Sequence, residues 1–202
     1  KFRKKYHVRD FEKLAAKKFK MNYAQAVSSG TAALKIALLS LGVKRGDEVI
    51  TQAFNFIATI EAILDIGAKP IIVEVDKTLN MSVTALKKAI TKKTKAIIPV
   101  HMLGVPAKMN EIKLIADRKK IKIIEDAATS FPMGEAYTYT PGHASDVACY
   151  SFDFTKCPGT LGSGGGMCTS DEELFYLLQE IASHGRSRST KEVVRVGTKS
   201  YL

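Results

Sequence analysis

The sequence predicts an α/β protein: three layers (α/β/α), with a mostly parallel central sheet covered by helices on both faces. Three observations carry that expectation. Strand-like and helix-like segments alternate along the chain. The strand-like segments, such as Ala96–Val100 and Val147–Phe152, are continuous apolar runs rather than alternating ones. Strands of that kind are buried on both faces, as parallel sheets require. The chain has 202 residues, 46% of them hydrophobic, which suits one domain with a substantial core.

The elements follow in order. From His7 to Phe19, Val8, Phe11, Leu14, Ala15 and Phe19 recur at helical spacing. Ala24 to Val27 reads as a short strand. Ser28-Ser29-Gly30-Thr31 leads into an apolar helix, Ala32 to Leu39, that Gly42 stops. Glu48 to Thr51 is the next strand. Phe54-Asn55-Phe56 follows, then a helix over 57–65 ended by Gly67. Ile71 to Val75 reads as a strand, Ser82 starts a helix through Ile90, and Ala96 to Val100 is a strand ending at His101. Lys108 to Lys119 is helical. Ile121 to Ile124 is a strand with Glu125-Asp126 at its carboxyl end. A polar loop, Pro132 to Ser145, precedes the strand Val147–Phe152. The run Gly164-Gly165-Gly166 reads as a tight turn, Met167 to Thr169 as a short strand, and Asp171 to Ser183 as the last helix.

Composition narrows the function classes. No stretch approaches the roughly 18 apolar residues of a spanning helix, so no membrane role is expected. The basic stretch Lys1 to Lys5 has no apolar segment after it and does not read as a signal peptide. Three cysteines, Cys149, Cys157 and Cys168, lack metal-ligand spacing and read as free thiols of a reducing, cytoplasmic compartment. Net charge is +11 and the pI about 9.5. The lysines are spread over helix faces and loops, so a solvated basic surface that attracts anionic substrates accounts for them better than a nucleic-acid track does.

Ligand groups in such sheets gather at the carboxyl ends of strands. Ser29 and Thr31, Phe56, Asp126, Ser151 and Lys156 all fall there. The free N–H groups of a helix start, with nearby hydroxyls, suit a phosphate. A lysine emerging from a buried strand, if held partly neutral, is a nucleophile towards carbonyls. An aromatic side chain can stack on a ring, and a carboxylate can keep a ring nitrogen protonated. Together these are the requirements of pyridoxal 5'-phosphate, which needs a lysine imine and an acidic partner for its pyridinium. Taken singly each has a plainer reading: helix capping for the hydroxyls and Asp126, core packing for Phe56, a solvated strand end for Lys156.

Several motifs are specific in combination. They are Ser28-Ser29-Gly30-Thr31-Ala32-Ala33-Leu34, Gly46-Asp47-Glu48-Val49-Ile50, Gly67-Ala68-Lys69-Pro70, Ile98-Pro99-Val100-His101 and Glu125-Asp126-Ala127-Ala128. Ser151-Phe152 with Thr155-Lys156, the Gly164-Gly165 pair and His184-Gly185 complete the set. From about Val8 to Leu202 the chain resembles the nucleotide-sugar aminotransferases of the DegT/DnrJ/StrS group. The resemblance implies the large domain of a fold-type I, aspartate aminotransferase-like enzyme over residues 1–202, with the family's C-terminal small domain outside this chain. It implies a homodimer with shared sites, pyridoxal phosphate as cofactor, and transfer of an amino group, usually from glutamate, to a keto sugar on a nucleotide diphosphate. Residue by residue, it makes Lys156 the Schiff-base lysine and Asp126 the pyridinium partner, with Phe56 stacking on the ring. It places Gly30, Thr31, Ala32 and Ser151 about the phosphate, and Thr129 where the family usually has a glutamine near the ring hydroxyl.

Ser163 stands in for the usual acidic residue of the glycine turn, Asp153 for a common His or Gln, and Tyr201 aligns with the partner-subunit asparagine. Two other readings stay open. One is a sugar dehydratase of the same family, in which a histidine replaces the lysine that Lys156 retains. The other is a basic binding or regulatory protein that keeps the fold without catalysis.

Overall fold

The computed structural model describes residues 7–131, 139–187 and 189–200; Lys1–Lys5, part of the loop expected at Pro132–Ser145, and Tyr201 lie outside them. Among the described residues, seven strands form one sheet in the order β1-β7-β6-β5-β4-β2-β3. They are β1 (Tyr23–Val27), β2 (Glu48–Gln52), β3 (Lys69–Val73), β4 (Thr94–Ile98), β5 (Lys122–Asp126), β6 (Val147–Ser151) and β7 (Gly165–Thr169). From β3 through β2, β4 and β5 to β6 every pairing is parallel. β7 is reversed, running antiparallel to both β6 and β1. The loop 152–164 contains no crossover helix, and a strand pair joined without one returns antiparallel.

The described helices cover the sheet: α1 (Val8–Phe19), α2 (Gly30–Ser40), α3 (Ile57–Asp65), α4 (Val83–Ala89), α5 (Met109–Lys119) and α6 (Glu172–Ala182). The period of two along each strand sorts the core into faces. Val49, Ile98, Ile124, Val147, Cys149 and Met167 pack against α2, α3 and α6. Their neighbours Ile50, Ile97 and Ile123 face α4 and α5, while Ala148, Tyr150 and Cys168 face α1. This is the three-layer arrangement the apolar strands predict. α2 is the most deeply buried helix, with Ile36, Ala37 and Leu38 fully enclosed, which explains why its sequence is apolar all round. Ser82 and Asp171 cap α4 and α6 by accepting from Ala85 N–H and Leu174 N–H.

Some boundaries differ from expectation. β3 begins at Lys69 and ends at Val73 instead of spanning Ile71–Val75, and so contains Pro70. It is an edge strand, where a missing N–H is tolerated. β4 ends at Ile98, and Val100 continues towards β5 only through a single bridge to Asp126. The glycine run is a correction: Gly165 and Gly166 open β7 rather than forming a turn. A Cβ on Gly165 would lie 2.3 Å from the Ser29 carbonyl carbon, and one on Gly166 would lie 3.2 Å from the Phe152 ring. Close backbone approach, not turn geometry, requires glycine at 165, while at 166 a Cβ would press on the Phe152 side chain. The three cysteines are free thiols. Among the described residues no helix is long and apolar enough to cross a membrane.

Candidate active site

The carboxyl ends of β2, β5 and β6 and the start of α2 enclose a pocket of about 490 Å³. Gly30, Thr31 and Ser151 line it together with Phe56, Asp126, Thr129 and Lys156. Widely separated stretches of chain thus converge on one cavity, as the strand-exit argument requires.

The α2 start is a helix N-terminus of the kind that could hold an anion. Ser29 is the N-cap; its Oγ accepts from Ala32 N–H at 3.0 Å and its carbonyl from Ala33 N–H at 3.1 Å. Among the described residues the N–H groups of Gly30 and Thr31 have no acceptor, and the positive end of the helix dipole lies with them. Ser151 approaches so closely that a Cβ on Gly30 would sit 2.9 Å from the Ser151 Cβ. Glycine therefore sets the spacing between the helix start and the serine hydroxyl. Ala32, expected beside the phosphate, does not line the pocket; its N–H is already bonded to the cap.

Asp126 is 4% exposed at the end of β5. Its Oδ2 accepts from Thr59 Oγ1–H at 2.6 Å and its Oδ1 from Ala128 N–H at 3.1 Å. Burial raises its pKa above the ordinary value, and the Thr59 and Ala128 bonds only partly offset that effect. A buried carboxyl with raised proton affinity suits a cationic or proton-sharing partner. Thr59 is absent from the sequence reading of the site. The signal for it is a polar residue on the buried stripe of α3 beside Ala62 and Ile63. Thr129 is exposed to the pocket and donates Oγ1–H to His101 O at 2.8 Å.

Phe56 is 68% exposed and so is not a core residue. Lys156 Nζ lies 5.6 Å from its ring centroid, over the face. Because β6 ends at Ser151, Lys156 sits in the following loop, half-buried, rather than at the strand exit itself. A local turn places it. Asp153 Oδ1 accepts from Thr155 N–H at 3.0 Å and Oγ1–H at 2.7 Å, and Asp153 O accepts from Lys156 N–H at 2.8 Å. Those two Thr155 bonds hold the Asp153 carboxyl below its ordinary pKa. Asp153, Thr155 and Ser163 also line the pocket, so the two departures at 153 and 163 fall inside the site. The donor set fits a ligand with a phosphate at one end, a flat ring with a basic nitrogen, and a carbonyl within reach of an amine.

Comparison with known proteins agrees with this chemistry. The family model "DegT/DnrJ/EryC1/StrS aminotransferase family" matches residues 1–201. UDP-2-acetamido-2-deoxy-3-oxo-D-glucuronate aminotransferase from Pseudomonas aeruginosa is 43% identical over 182 residues, covering 89% of this chain and 50% of that protein. Bacillus subtilis NtdA, solved with bound cofactor PMP, superposes with a TM-score of 0.89 at 35% identity, covering 97% of this chain and 45% of that one. S. venezuelae DesV, solved in complex with a ketimine intermediate, gives a TM-score of 0.91 at 36% identity, covering 97% and 53%. The chain spans about half the length of the curated relatives it matches.

Proposed function

The chain belongs to the DegT/DnrJ/EryC1/StrS aminotransferase family, and from that premise we propose that it binds pyridoxal 5'-phosphate and carries out sugar transamination. The acceptor in this reading is a keto sugar on a nucleoside diphosphate, a class supported by the name of the Pseudomonas relative. The donor is an amino acid, glutamate by family precedent. The observation that carries the proposal is the meeting, in one pocket, of Lys156, Asp126 and the N–H groups of Gly30 and Thr31, which have no acceptor among the described residues.

When bound, pyridoxal phosphate supplies an aldehyde that takes amines covalently and a ring that accepts the electrons left when a substrate carbon loses a proton. The residues of this chain have distinct tasks in that setting. Gly30 and Thr31 N–H and the Ser151 hydroxyl hold the phosphate. Asp126 keeps a proton on the ring nitrogen; that proton's charge offsets the burial of the carboxylate. Phe56 offers its exposed face to the ring. Lys156 Nζ would be the amine that holds the group at its aldehyde carbon, and, as a free amine, would take and return the proton at the substrate carbon. Asp153 and Thr155 fix the loop from which Lys156 reaches.

The retained Lys156 weighs against the dehydratase reading, and the convergence of every expected cofactor position but Ala32 on one pocket weighs against a purely binding role. We further propose a homodimer, supported by the exposed apolar side chains Phe54, Leu103, Phe154 and Leu161 beside lining residues. A cytoplasmic location is supported by the free thiols. The test is product analysis with glutamate and a panel of nucleotide-linked keto sugars. An amino sugar formed one-for-one with 2-oxoglutarate supports the proposal. A deoxy sugar without amine, or no turnover with any nucleotide sugar, overturns it.

A further inference from the structure

A buried polar cluster, which the chemistry above leaves unused, lies on the face of β5 opposite Asp126. Glu125 is fully buried. Its Oε2 accepts from His101 Nε2–H at 2.7 Å and from the Tyr139 hydroxyl at 2.5 Å, and its Oε1 accepts from Gly142 N–H at 2.8 Å. His101, also fully buried, accepts from Ala107 N–H at Nδ1 (3.1 Å), which leaves its ring proton on Nε2. Burial pushes the Glu125 carboxyl up, but His101 above all, then Ser145 and Tyr139, bring it below its ordinary pKa. Among the described residues three donors and no acceptor converge on its two oxygens, the surroundings a buried anion requires.

The backbone of the same histidine grips the pocket wall. His101 N–H donates to Asp126 O at 3.1 Å, and His101 O accepts the Thr129 hydroxyl at 2.8 Å. One residue thus holds both ends of the segment 126–129, while its own ring is tied at Glu125 and Ala107. A buried ion is a poor device for stability alone, since an apolar group of equal volume often serves as well. Its value lies in fixing one geometry.

We propose that His101 and Glu125 are positioning residues for the cofactor site: they lock the segment 126–129 and so aim the Asp126 carboxylate and Thr129 into the pocket. The functional meaning rests on the pyridoxal phosphate reading; the geometric part does not.

The experiment compares wild type, Glu125→Gln and Tyr139→Phe. In the glutamine variant an NH₂ group must face either Gly142 N–H or His101 Nε2–H, so the His101 ring loses either its acceptor or that acceptor's charge, whereas Tyr139→Phe leaves the charged His101–Glu125 bond in place. The first readout is amide hydrogen exchange in cofactor-free protein at Ala128, whose N–H bonds to Asp126 Oδ1. The second is the dissociation constant for pyridoxal phosphate, measured well below the melting temperature. Loss of a bond to a charged group predicts about a tenfold rise in both for Glu125→Gln. Tyr139→Phe should stay within about twofold of wild type, because His101 remains tied. Unchanged Ala128 exchange in Glu125→Gln, or an equal change in Tyr139→Phe, overturns the proposal. If Glu125→Gln does not fold, His101→Gln, which keeps a donor towards Glu125 but loses the Ala107 tie, is read by the same two measurements. If wild type binds no pyridoxal phosphate, the functional reading fails and the exchange data still decide whether the clamp exists.

Discussion

Thr59 Oγ1–H meets Asp126 Oδ2 at 2.6 Å, across 67 positions of chain, with both side chains buried beneath the pocket. The bond joins the first turn of α3, just after Phe56, to the carboxyl end of β5. It thereby fixes the aromatic and the carboxylate relative to each other. Asn55 Oδ1 lies 3.2 Å from the same hydroxyl and gives it a second neighbour.

Thr59→Val keeps the shape of the side chain and removes the donor. A buried acceptor left short of a donor to a charged group loses about 1.5–3 kcal/mol. Urea denaturation at neutral pH should show a loss of that order for Thr59→Val and little change for Thr59→Ser. Equal stability of the valine variant and wild type would mean that the hydroxyl does not support a charged Asp126.

The raised pKa of Asp126 gives a signed pH dependence. A carboxyl that binds its proton more tightly when folded makes the unfolded chain the more acidic state. Folding stability therefore falls as pH rises from the ordinary carboxylate value of 3.8 through the raised folded value. Asp126→Asn removes that dependence: its Oδ1 accepts from Ala128 N–H and its NH₂ donates to Thr59. Cofactor-free Asp126→Asn should melt at or above wild type at neutral pH, with a flatter pH profile, while binding pyridoxal phosphate at least about tenfold more weakly, since a charged pairing is lost. Calorimetry from pH 4 to 8 checks the first part, and a binding titration the second. A neutral-pH melting temperature below wild type contradicts this account of Asp126.

Glycine spacing at the anion site is testable by one methyl. The Cβ of Gly30→Ala would meet Ser151 Cβ at 2.9 Å, and that of Gly165→Ala would meet the Ser29 backbone at 2.3 Å. Overpacking of this kind costs roughly 1–3 kcal/mol. Gly165→Ala should be the more damaging, because it meets backbone rather than a side chain. Chemical denaturation ranks the two, and the opposite order would contradict the close contact between β7 and the α2 start.

Phe56 separates binding from folding. At 68% exposure, Phe56→Ala should leave stability within about 0.5 kcal/mol of wild type. The same change should weaken pyridoxal phosphate binding, because the exposed ring face is lost. A large stability loss with unchanged binding would make Phe56 a packing residue after all.

Much of this site is legible in the chain because its signals are local. Ser29-Gly30-Thr31 before an apolar helix, Asp126 at the end of an apolar strand, and Lys156 ahead of glycines are each visible within a few residues. What stays hidden depends on distant partners. The Gly165-Gly166 pair reads as a turn until Ser29 and Phe152 are seen pressing on it. β3 starts before the apolar run that marks it in the sequence, because its edge position admits Pro70 as a strand residue. Thr59 looks like an incidental polar residue until Asp126 faces it. The reversal of β7 follows from the missing crossover helix, which the loop's composition does not announce. His101 and Glu125 match family motifs in the sequence, but their shared burial with Tyr139 exists only in three dimensions.

The most direct test of the cofactor assignment is covalent capture. Purified protein is incubated with pyridoxal phosphate, reduced with borohydride, digested and mapped by mass spectrometry. The predicted result is one phosphopyridoxyl group per chain, carried on Lys156 and absent from Lys156→Ala. Label spread over surface lysines, or retained undiminished in Lys156→Ala, would contradict it.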